Sequence, residues 1–278
     1  MKKYLLANPD IENRDFISCI DELPLWSAPF GLSLLDRIEM KTGLNVLDIG
    51  CGTGFPLIEL AQRLGNTCRL TGIDPWGKVL DRVRLKIVHA EITNVEVFNY
   101  PAEAMPFSDG YFNLIVSNNG LNNVRDIEQS LRECNRVADH GAQLLLTQNL
   151  EGTMIEFYTL FEKVLSEKQM FTEIFAMKDH IWQKRRPVHE IIEMIEKNDF
   201  NINQVEENCF YLRFLDANAM FNHSLIRFWF ADSWKKIIPE ELHEEVFTAL
   251  EHKLNLEASE KGDIKLSVPY VVIDSRKK

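Results

Sequence analysis

Three glycines at alternate positions are the feature of this sequence that most directly suggests chemistry. Gly50, Gly52 and Gly54 follow an apolar run in "NVLDIGCGTG" (45–54). A glycine-rich turn between a strand and a helix lets the backbone approach a bound ligand closely. Two ligands are candidates for this turn: a dinucleotide and S-adenosylmethionine (SAM).

The spacing of the glycines distinguishes between these ligands. The dinucleotide fingerprint GxGxxG needs its third glycine five positions after the first, and Phe55 occupies that position. Asp48 lies two residues before the first glycine, where its charge would repel a pyrophosphate and suit an ammonium group. The turn therefore favours SAM, and a nicotinamide-dependent oxidoreductase is the rival that tight NADH binding would revive.

A second carboxylate, Asp74 in "TGIDP", ends the next predicted strand. A carboxylate at that place can accept hydrogen bonds from both ribose hydroxyls of an adenosine. The alternative is that Asp74 caps the helix that follows it. Because the glycine turn needs an adenosine partner close by, the ribose role is favoured.

The elements around these residues alternate. Apolar runs at 45–50, 68–74, 94–99, 111–118 and 142–148 predict strands, and segments of helical periodicity at 29–43, 56–65, 76–90 and 124–141 separate them. This order is typical of parallel βαβ units. Gly43 is predicted to end the first of these helices.

The regular alternation of predicted strands and helices ends after residue 150. Helices are predicted at 152–171, 187–200 and 223–255, and strands at 202–216 and 264–278. No composition break separates these parts, so we predict one domain over 1–278. It comprises N-terminal helices (1–43) that form a lid, a cofactor-binding core (44–150), and C-terminal strands with helical insertions (151–278).

Composition and charge exclude several classes of function. The net charge of −11 disfavours nucleic-acid binding, which needs clustered Lys and Arg. The five cysteines are odd in number and form no CxxC, so we expect reduced thiols and no metal site. The N-terminal apolar run is too short for a signal peptide, and no segment reaches the ~18 apolar residues of a membrane span. We expect a soluble cytoplasmic protein whose oligomeric state is open.

Four segments together resemble a known family. "VLDIGCGTG", "TGIDP", "PAEAMPFSDGYFNLIVSNNGLNNVRD" and "GAQLLLTQ" are similar, in that order, to the motifs of class I SAM-dependent methyltransferases, especially the ubiquinone/menaquinone-biosynthesis (type 11) group. The resemblance implies an α/β, Rossmann-like, seven-stranded and mostly parallel sheet with helices on both faces and an antiparallel last strand. It also implies SAM as cofactor and S-adenosylhomocysteine as product.

The resemblance also implies roles for individual residues. The turn would hold the methionine end of SAM, Asp74 the ribose, the next two residues and the "AE" pair the adenine, and Asn118 would face the transferable methyl group. The implied cofactor-binding residues are Asp48, Gly50, Cys51, Gly52, Gly54, Asp74, Pro75, Trp76, Ala102, Glu103 and Asn118. The sequence departs from the family at Pro101, where the usual Asp would accept from the adenine amine, and the alternative for Glu103 is a surface carboxylate.

Candidates for binding the methyl acceptor come from three segments, and each has a structural alternative. They are Trp26, Phe30, Asn119, Asn122, His180 and His223. The alternatives are a core role for Trp26, turn chemistry for the asparagines, and packed, hydrogen-bonded histidines. The aromatic segment 210–230 would either roof an apolar acceptor pocket or form the core beneath the inserted helices.

The function predicted from the sequence is transfer of a methyl group from SAM to a small molecule by in-line displacement. Such a reaction depends on alignment of the reactants and needs a base only when the acceptor must lose a proton. No catalytic residue is assigned. The alternative is a non-catalytic SAM-binding sensor or partner subunit, for which Pro101 is the sequence argument.

Overall fold

A computed structural model describes residues 2, 4–6, 10–22 and 26–278 of the protein. The strands are β1 (Asn45–Ile49), β2 (Arg69–Ile73), β3 (Val95–Phe98), β4 (Phe112–Asn118), β5 (Ala138–Asn149), β6 (Phe200–Phe214) and β7 (Ile264–Lys277). The helices are α1 (Arg14–Glu22), α2 (Ser27–Leu35), α3 (Leu57–Leu64), α4 (Gly77–His89), α5 (Ile127–Val137), α6 (Ile155–Glu167), α7 (Phe171–Lys184), α8 (Val188–Lys197), α9 (Ala217–Asn222), α10 (Ala231–Lys235) and α11 (His243–Lys261). A π-helical turn covers Ile226–Phe230.

The strands form one sheet in the order β3-β2-β1-β4-β5-β7-β6. The neighbouring strands β3, β2, β1, β4 and β5 are all parallel to one another, and β7 runs antiparallel to β5. The predicted Rossmann-like fold class is therefore confirmed. The strand order reverses between β1 and β4, and ligands of such sheets bind beyond the carboxyl ends of the strands at that point.

The described chain forms two compact units. The sheet unit comprises Glu12–Leu150, Arg186–Asn208 and Tyr270–Lys278, and the helical unit comprises the described part of Met1–Ile11 with Glu151–Arg185 and Cys209–Pro269. One boundary, between residues 150 and 151, coincides with the predicted end of the cofactor-binding core. The prediction of a single domain stays a prediction.

The sheet unit buries apolar side chains on both faces of its strands. Neighbouring residues of β1 point to opposite faces, so Leu47 joins one core cluster, with Ile115 and residues of α5 and α8, while Val46 joins the other. This second cluster packs α2 and α3 against the sheet. Burial on both faces explains why the inner strands read as nearly continuous apolar runs.

Aromatic rings form the core of the helical unit. Trp234 stacks on Phe157 with 3.9 Å between ring centroids, and its Nε1–H donates to the Tyr158 hydroxyl at 3.0 Å. In segment 210–230, Met220 and Phe221 are fully buried, whereas Tyr211 and Trp229 are about half exposed. The buried residues of this segment therefore match the predicted alternative in which 210–230 forms part of the core.

Two predicted helices end earlier than the sequence suggested. The helix expected to reach Gly43 ends at Leu35, because the Gln143 amide bonds with the Arg37 carbonyl (3.0 Å) and the Glu39 N–H (3.2 Å) just beyond it. The helix expected over 152–171 ends at Glu167 (α6), and α7, which begins at Phe171, lies where no helix was predicted. Gln169 has a left-handed φ of 59°, and the Met170 N–H closes the end of α6 on the Leu165 carbonyl at 2.9 Å. Among the described helices, none is long and apolar enough to cross a membrane.

Candidate functional site

The glycine turn follows β1 as the sequence predicts. Gly50, Gly52 and Gly54 have φ values of +74°, +52° and +110°, which L side chains rarely adopt. A Cβ atom on Gly50 would lie 3.0 Å from the Gly120 Cα, so this position needs glycine for close backbone approach as well. At Gly52 a Cβ atom would meet nothing within 4 Å, so open space lies beside the turn.

Asp74 ties the turn to the start of α4. Its Oδ2 accepts a hydrogen bond from the Gly52 N–H at 3.0 Å, and its Oδ1 accepts one from the Trp76 N–H at 2.8 Å. Burial raises the pKa of this carboxyl, and the two hydrogen bonds partly offset that rise. The predicted alternative, that Asp74 caps the helix after it, describes the bond to Oδ1. Each carboxylate oxygen keeps a second lone pair that could accept from a ligand hydroxyl.

Asp48 is fully buried, and neither of its carboxylate oxygens has a hydrogen-bond partner of ordinary geometry in the described chain. Burial, together with the nearby charge of Asp74, raises its pKa to about 8, although the Leu57 N–H faces the carboxylate closely enough to oppose the rise. A buried carboxylate without a partner is costly. A cationic ligand group beside it would favour its ionised form.

Three other residues predicted to bind the cofactor lie in the glycine turn and at the start of α4. The Cys51 side chain is buried, its pKa is well above the usual range because of burial, and a Cβ on Gly72 would meet its Sγ at 2.8 Å. Its backbone N–H, by contrast, belongs to the turn and donates to the Ile73 carbonyl at 3.1 Å. Pro75 is exposed and Trp76 is half-buried at the start of α4.

Glu103 has a role that the sequence did not indicate. Its Oε1 accepts hydrogen bonds from the backbone N–H groups of Arg125 (2.7 Å) and Asp126 (3.2 Å), just before α5. Ala102 beside it is buried. The carboxylate is thus fixed by the loop before α5, and contact with adenine stays a prediction.

Asn118 links the end of β4 to the N-terminal helices. Its Oδ1 accepts from the Thr147 hydroxyl at 3.0 Å, and its Nδ2 donates to the Ser27 carbonyl at 3.1 Å. On the same helix, a Cβ on Gly31 would lie 2.2 Å from Cε1 of Phe55 and 3.1 Å from Nδ2 of Asn118. Gly31 therefore allows α2 to approach the turn, and a glycine inside a helical pattern was the signal that the sequence analysis missed.

A salt-bridge cluster connects α1 to the same turn. Asp21 accepts hydrogen bonds from Arg82 at 2.8 Å and Lys86 at 2.5 Å, and Lys86 also donates to the Thr53 carbonyl at 2.8 Å. Burial of Asp21 would raise its pKa, but the bonds from Lys86 and Arg82 outweigh burial and lower it. No spacing in the sequence indicates this cluster.

Three asparagines meet at the ends of β4 and β5. The Asn122 Nδ2 donates to the side-chain oxygens of Asn119 (2.5 Å) and Asn149, and the Asn119 Oδ1 also accepts from the Asn149 N–H at 3.1 Å. The Asn149 N–H fixes the orientation of the Asn119 amide, which in turn fixes that of Asn122. The Asn122 Oδ1 is buried and has no donor in the described part of the chain.

The remaining predicted acceptor residues lie in different environments. Phe30 is fully buried between Trp26 (5.3 Å between ring centroids) and Tyr270 (4.8 Å). His180 and His223 belong to the helical unit. Burial and the charges of Arg185 and Lys184 lower the pKa of His180 to about 4, which makes it a weak base, and partial burial lowers the pKa of the exposed His223.

Comparisons with known proteins find similarity to methyltransferases. Residues 47–146 match a family described as a methyltransferase domain. A demethylmenaquinone methyltransferase of Listeria monocytogenes is 33% identical over 151 residues, which are 52% of this chain and 62% of that protein. The chain thus spans less than two thirds of that relative's length.

Two solved structures share the fold at low identity. The YcgJ protein from Bacillus subtilis has a TM-score of 0.60 at 15% identity and covers 90% of this chain and 98% of its own. An S-adenosylmethionine-dependent methyltransferase from Mesorhizobium loti has a TM-score of 0.52 at 14% identity and covers 88% of this chain and 96% of its own. These likenesses support the fold.

The raised pKa of Asp48 predicts the pH dependence of the ligand-free protein. A carboxyl whose pKa is higher in the folded than in the unfolded state makes folding less favourable as pH rises from about 4 to about 8. We expect Asp48→Asn to remove this loss and to raise the melting temperature at pH 8 by roughly 2–4 °C for each kcal/mol regained.

The measurement is thermal unfolding between pH 5 and pH 9 without ligand. Asp81→Asn, which changes the same charge at an exposed site on α4, is the control and should follow the wild type. Parallel pH profiles for Asp48→Asn and the wild type would show that Asp48 is ionised normally.

Gly31→Ala tests the close approach of α2 to the turn. An added methyl group normally stabilises a helix by up to ~1 kcal/mol, but here it meets the Phe55 ring. We expect the substitution to lower stability instead, by about 1–3 kcal/mol, and to weaken SAM binding about tenfold. Calorimetric titration with SAM and urea unfolding measure the two effects.

Phe55→Leu provides the matched background for this test, because it replaces the phenyl ring that the new methyl group meets with a smaller side chain. Gly31→Ala should therefore cost less stability and less SAM affinity in the Phe55→Leu background than it does in the wild type. A stabilising effect of Gly31→Ala in both backgrounds would contradict the close approach.

Proposed function

We propose that this chain is a class I SAM-dependent methyltransferase of the type 11 group, which uses SAM as its cofactor and transfers the methyl group of SAM to a small-molecule acceptor. The main support for this proposal is the fully buried Asp48 carboxylate beside the glycine turn, which has no hydrogen-bond partner of ordinary geometry in the described chain. Such a group is tolerated at a site where a positively charged ligand will neutralise it.

The residues of the sheet unit fit SAM. Asp48 and the turn from Gly50 to Gly54 combine a carboxylate with open backbone, which suits the methionine end with its positive charges. Asp74 would accept from the ribose hydroxyls with its remaining lone pairs. The half-buried Trp76 and buried Ala102 would offer apolar surface to adenine.

When bound, SAM supplies a methyl group on a sulfonium, which is a good leaving group, so the protein's main task is alignment. Asn118 holds α2 at the end of β4 through Ser27, and the Asp21–Lys86–Thr53 cluster holds α1 at the turn. These contacts would fix the cofactor's surroundings and limit access of water. Alignment of this kind supplies much of the rate enhancement in transfer reactions.

On the acceptor side, we propose that Asn122 receives a hydrogen bond from the acceptor. Its Nδ2 is used by Asn119 and Asn149, which leaves the buried Oδ1 to accept from an O–H or N–H group. The Listeria relative is named for demethylmenaquinone, so we place quinol-type hydroxyl compounds first among the acceptors to be tested.

A thermal-shift titration with SAM, S-adenosylhomocysteine and NADH tests the cofactor. A ligand that binds only the native state raises the melting temperature as its concentration increases. We expect both adenosyl ligands to stabilise the protein, NADH to have no effect, and Asp74→Ala to lose about tenfold or more in affinity because it removes charged hydrogen-bond acceptors.

Asp81→Ala, on the exposed face of α4, is the matched control and should bind SAM like the wild type. Stabilisation by NADH alone would refute the methyltransferase proposal. Binding of SAM without transfer of labelled methyl groups to any member of an acceptor panel, demethylmenaquinone included, would favour the non-catalytic alternative.

Asn122→Leu tests the acceptor contact. The substitution keeps the side-chain size and removes the whole amide, including the Nδ2 that donates to Asn119 and Asn149. We expect KM for the acceptor to rise by at least about tenfold, the value of one hydrogen bond, with the SAM dissociation constant unchanged. Asn123→Leu, at the adjacent exposed position, is the control. Loss of SAM affinity with an unchanged acceptor KM would instead assign Asn122 to the cofactor.

A further inference from the structure

A buried arginine in the helical unit has no carboxylate partner among the residues that the structure describes. Arg185 follows α7 and is only 3% exposed. Its Nη1 donates to the Thr153 carbonyl at 3.2 Å, and its guanidinium carbon lies 5.1 Å from the centre of the Tyr158 ring and 6.0 Å from that of Phe230. A carbonyl and two aromatic faces are therefore the partners of this charge within the described chain.

This environment is unusual for an arginine in this protein. The chain contains 42 acidic and 31 basic residues, and Arg136 and Arg213, for example, each form an ion pair with a carboxylate. Arginine stays charged at every physiological pH. Burying a charge without an opposite charge is costly, and an anion beside Arg185 would offset that cost.

Neighbouring groups also offer donors without acceptors. The Tyr158 oxygen accepts from Trp234, which leaves the Tyr158 proton to donate, and no acceptor for it lies within hydrogen-bonding distance in the described chain. Arg227, on the π-helical turn that carries Phe230, has a buried Nε without a partner in the same part of the chain. Turns of this kind occur frequently at functional sites.

We propose that the helical unit contains a binding site for a carboxylate or phosphate group, in which Arg185 is the principal ligand and Tyr158 a second donor. The planar guanidinium offers Nε and Nη2 as a fork that matches two oxygens of either group. Burial is the main cause of the low pKa of His180, and the charge of Arg185 lowers it further against a smaller opposing influence of Asp179.

Anion binding by the full-length protein, without SAM, tests the proposal. Inorganic phosphate and benzoate are the probes, and the ¹⁵N resonance of the Arg185 Nε–H, identified by its absence in Arg185→Met, is the readout. We expect one of the two anions to shift this resonance saturably and to raise the melting temperature. Arg185→Lys should bind at least tenfold more weakly, because lysine keeps the charge and loses the fork.

Arg213→Met, an exposed arginine of the same unit paired with Asp263, is the control for general salt effects and should respond to the anions like the wild type. Arg185→Met should lose the response and, without anion, should melt at the wild-type temperature or above it, because an apolar side chain replaces an unpaired buried charge. If this variant does not fold, the wild-type resonance and Arg185→Lys decide the question.

The absence of a saturable shift with either anion would overturn the proposal, as would an anion response that Arg185→Lys retains in full. The methyl-transfer assay separates two sources of the anion. A higher KM of Arg185→Lys for acidic acceptors only would make the anion a group of the acceptor, whereas an unchanged KM would make it a separate ligand. Because binding is measured without SAM, failure of methyl transfer would leave this test intact.

Discussion

The buried carboxylate of Asp48 sets the main constraint on the sheet unit. It lies in β1 between the apolar Leu47 and Ile49, it has no hydrogen-bond partner of ordinary geometry in the described chain, and the charge of Asp74 lies close by. Burial, and after it the charge of Asp74, raise the pKa of Asp48 and make the ligand-free site unfavourable for a negative charge. A positively charged cofactor removes this cost, so the same group that weakens the free protein would strengthen binding.

Other residues of the sheet unit hold the surroundings of this carboxylate in place. Asp74 joins the turn to α4 through two backbone N–H groups. Asn118 and Gly31 bring α2 to the end of β4, and Asp21 holds α1 through Lys86. A site that works by alignment gains from such contacts, because they fix positions before any ligand arrives.

The sequence predicted the glycine turn, the positions of Asp48 and Asp74, and the succession of strands β1 to β5 along the chain, because these depend on local patterns of glycine and apolar residues. It did not predict the end of α2 at Leu35, which depends on the side chain of Gln143, or the bonds from Glu103 to the loop before α5. The Asp21 cluster and the asparagine group also join distant positions. Contacts between residues far apart in the chain leave no periodicity, so pattern analysis could not find them.

The most direct test of this account is the pKa of Asp48, measured from its side-chain carboxyl ¹³C shift and assigned with Asp48→Asn. We expect a pKa near 8 in the free protein and a much lower pKa when SAM is bound, because a nearby positive charge favours the ionised form. A pKa near 4 in the free protein, or one that SAM leaves unchanged, would contradict it.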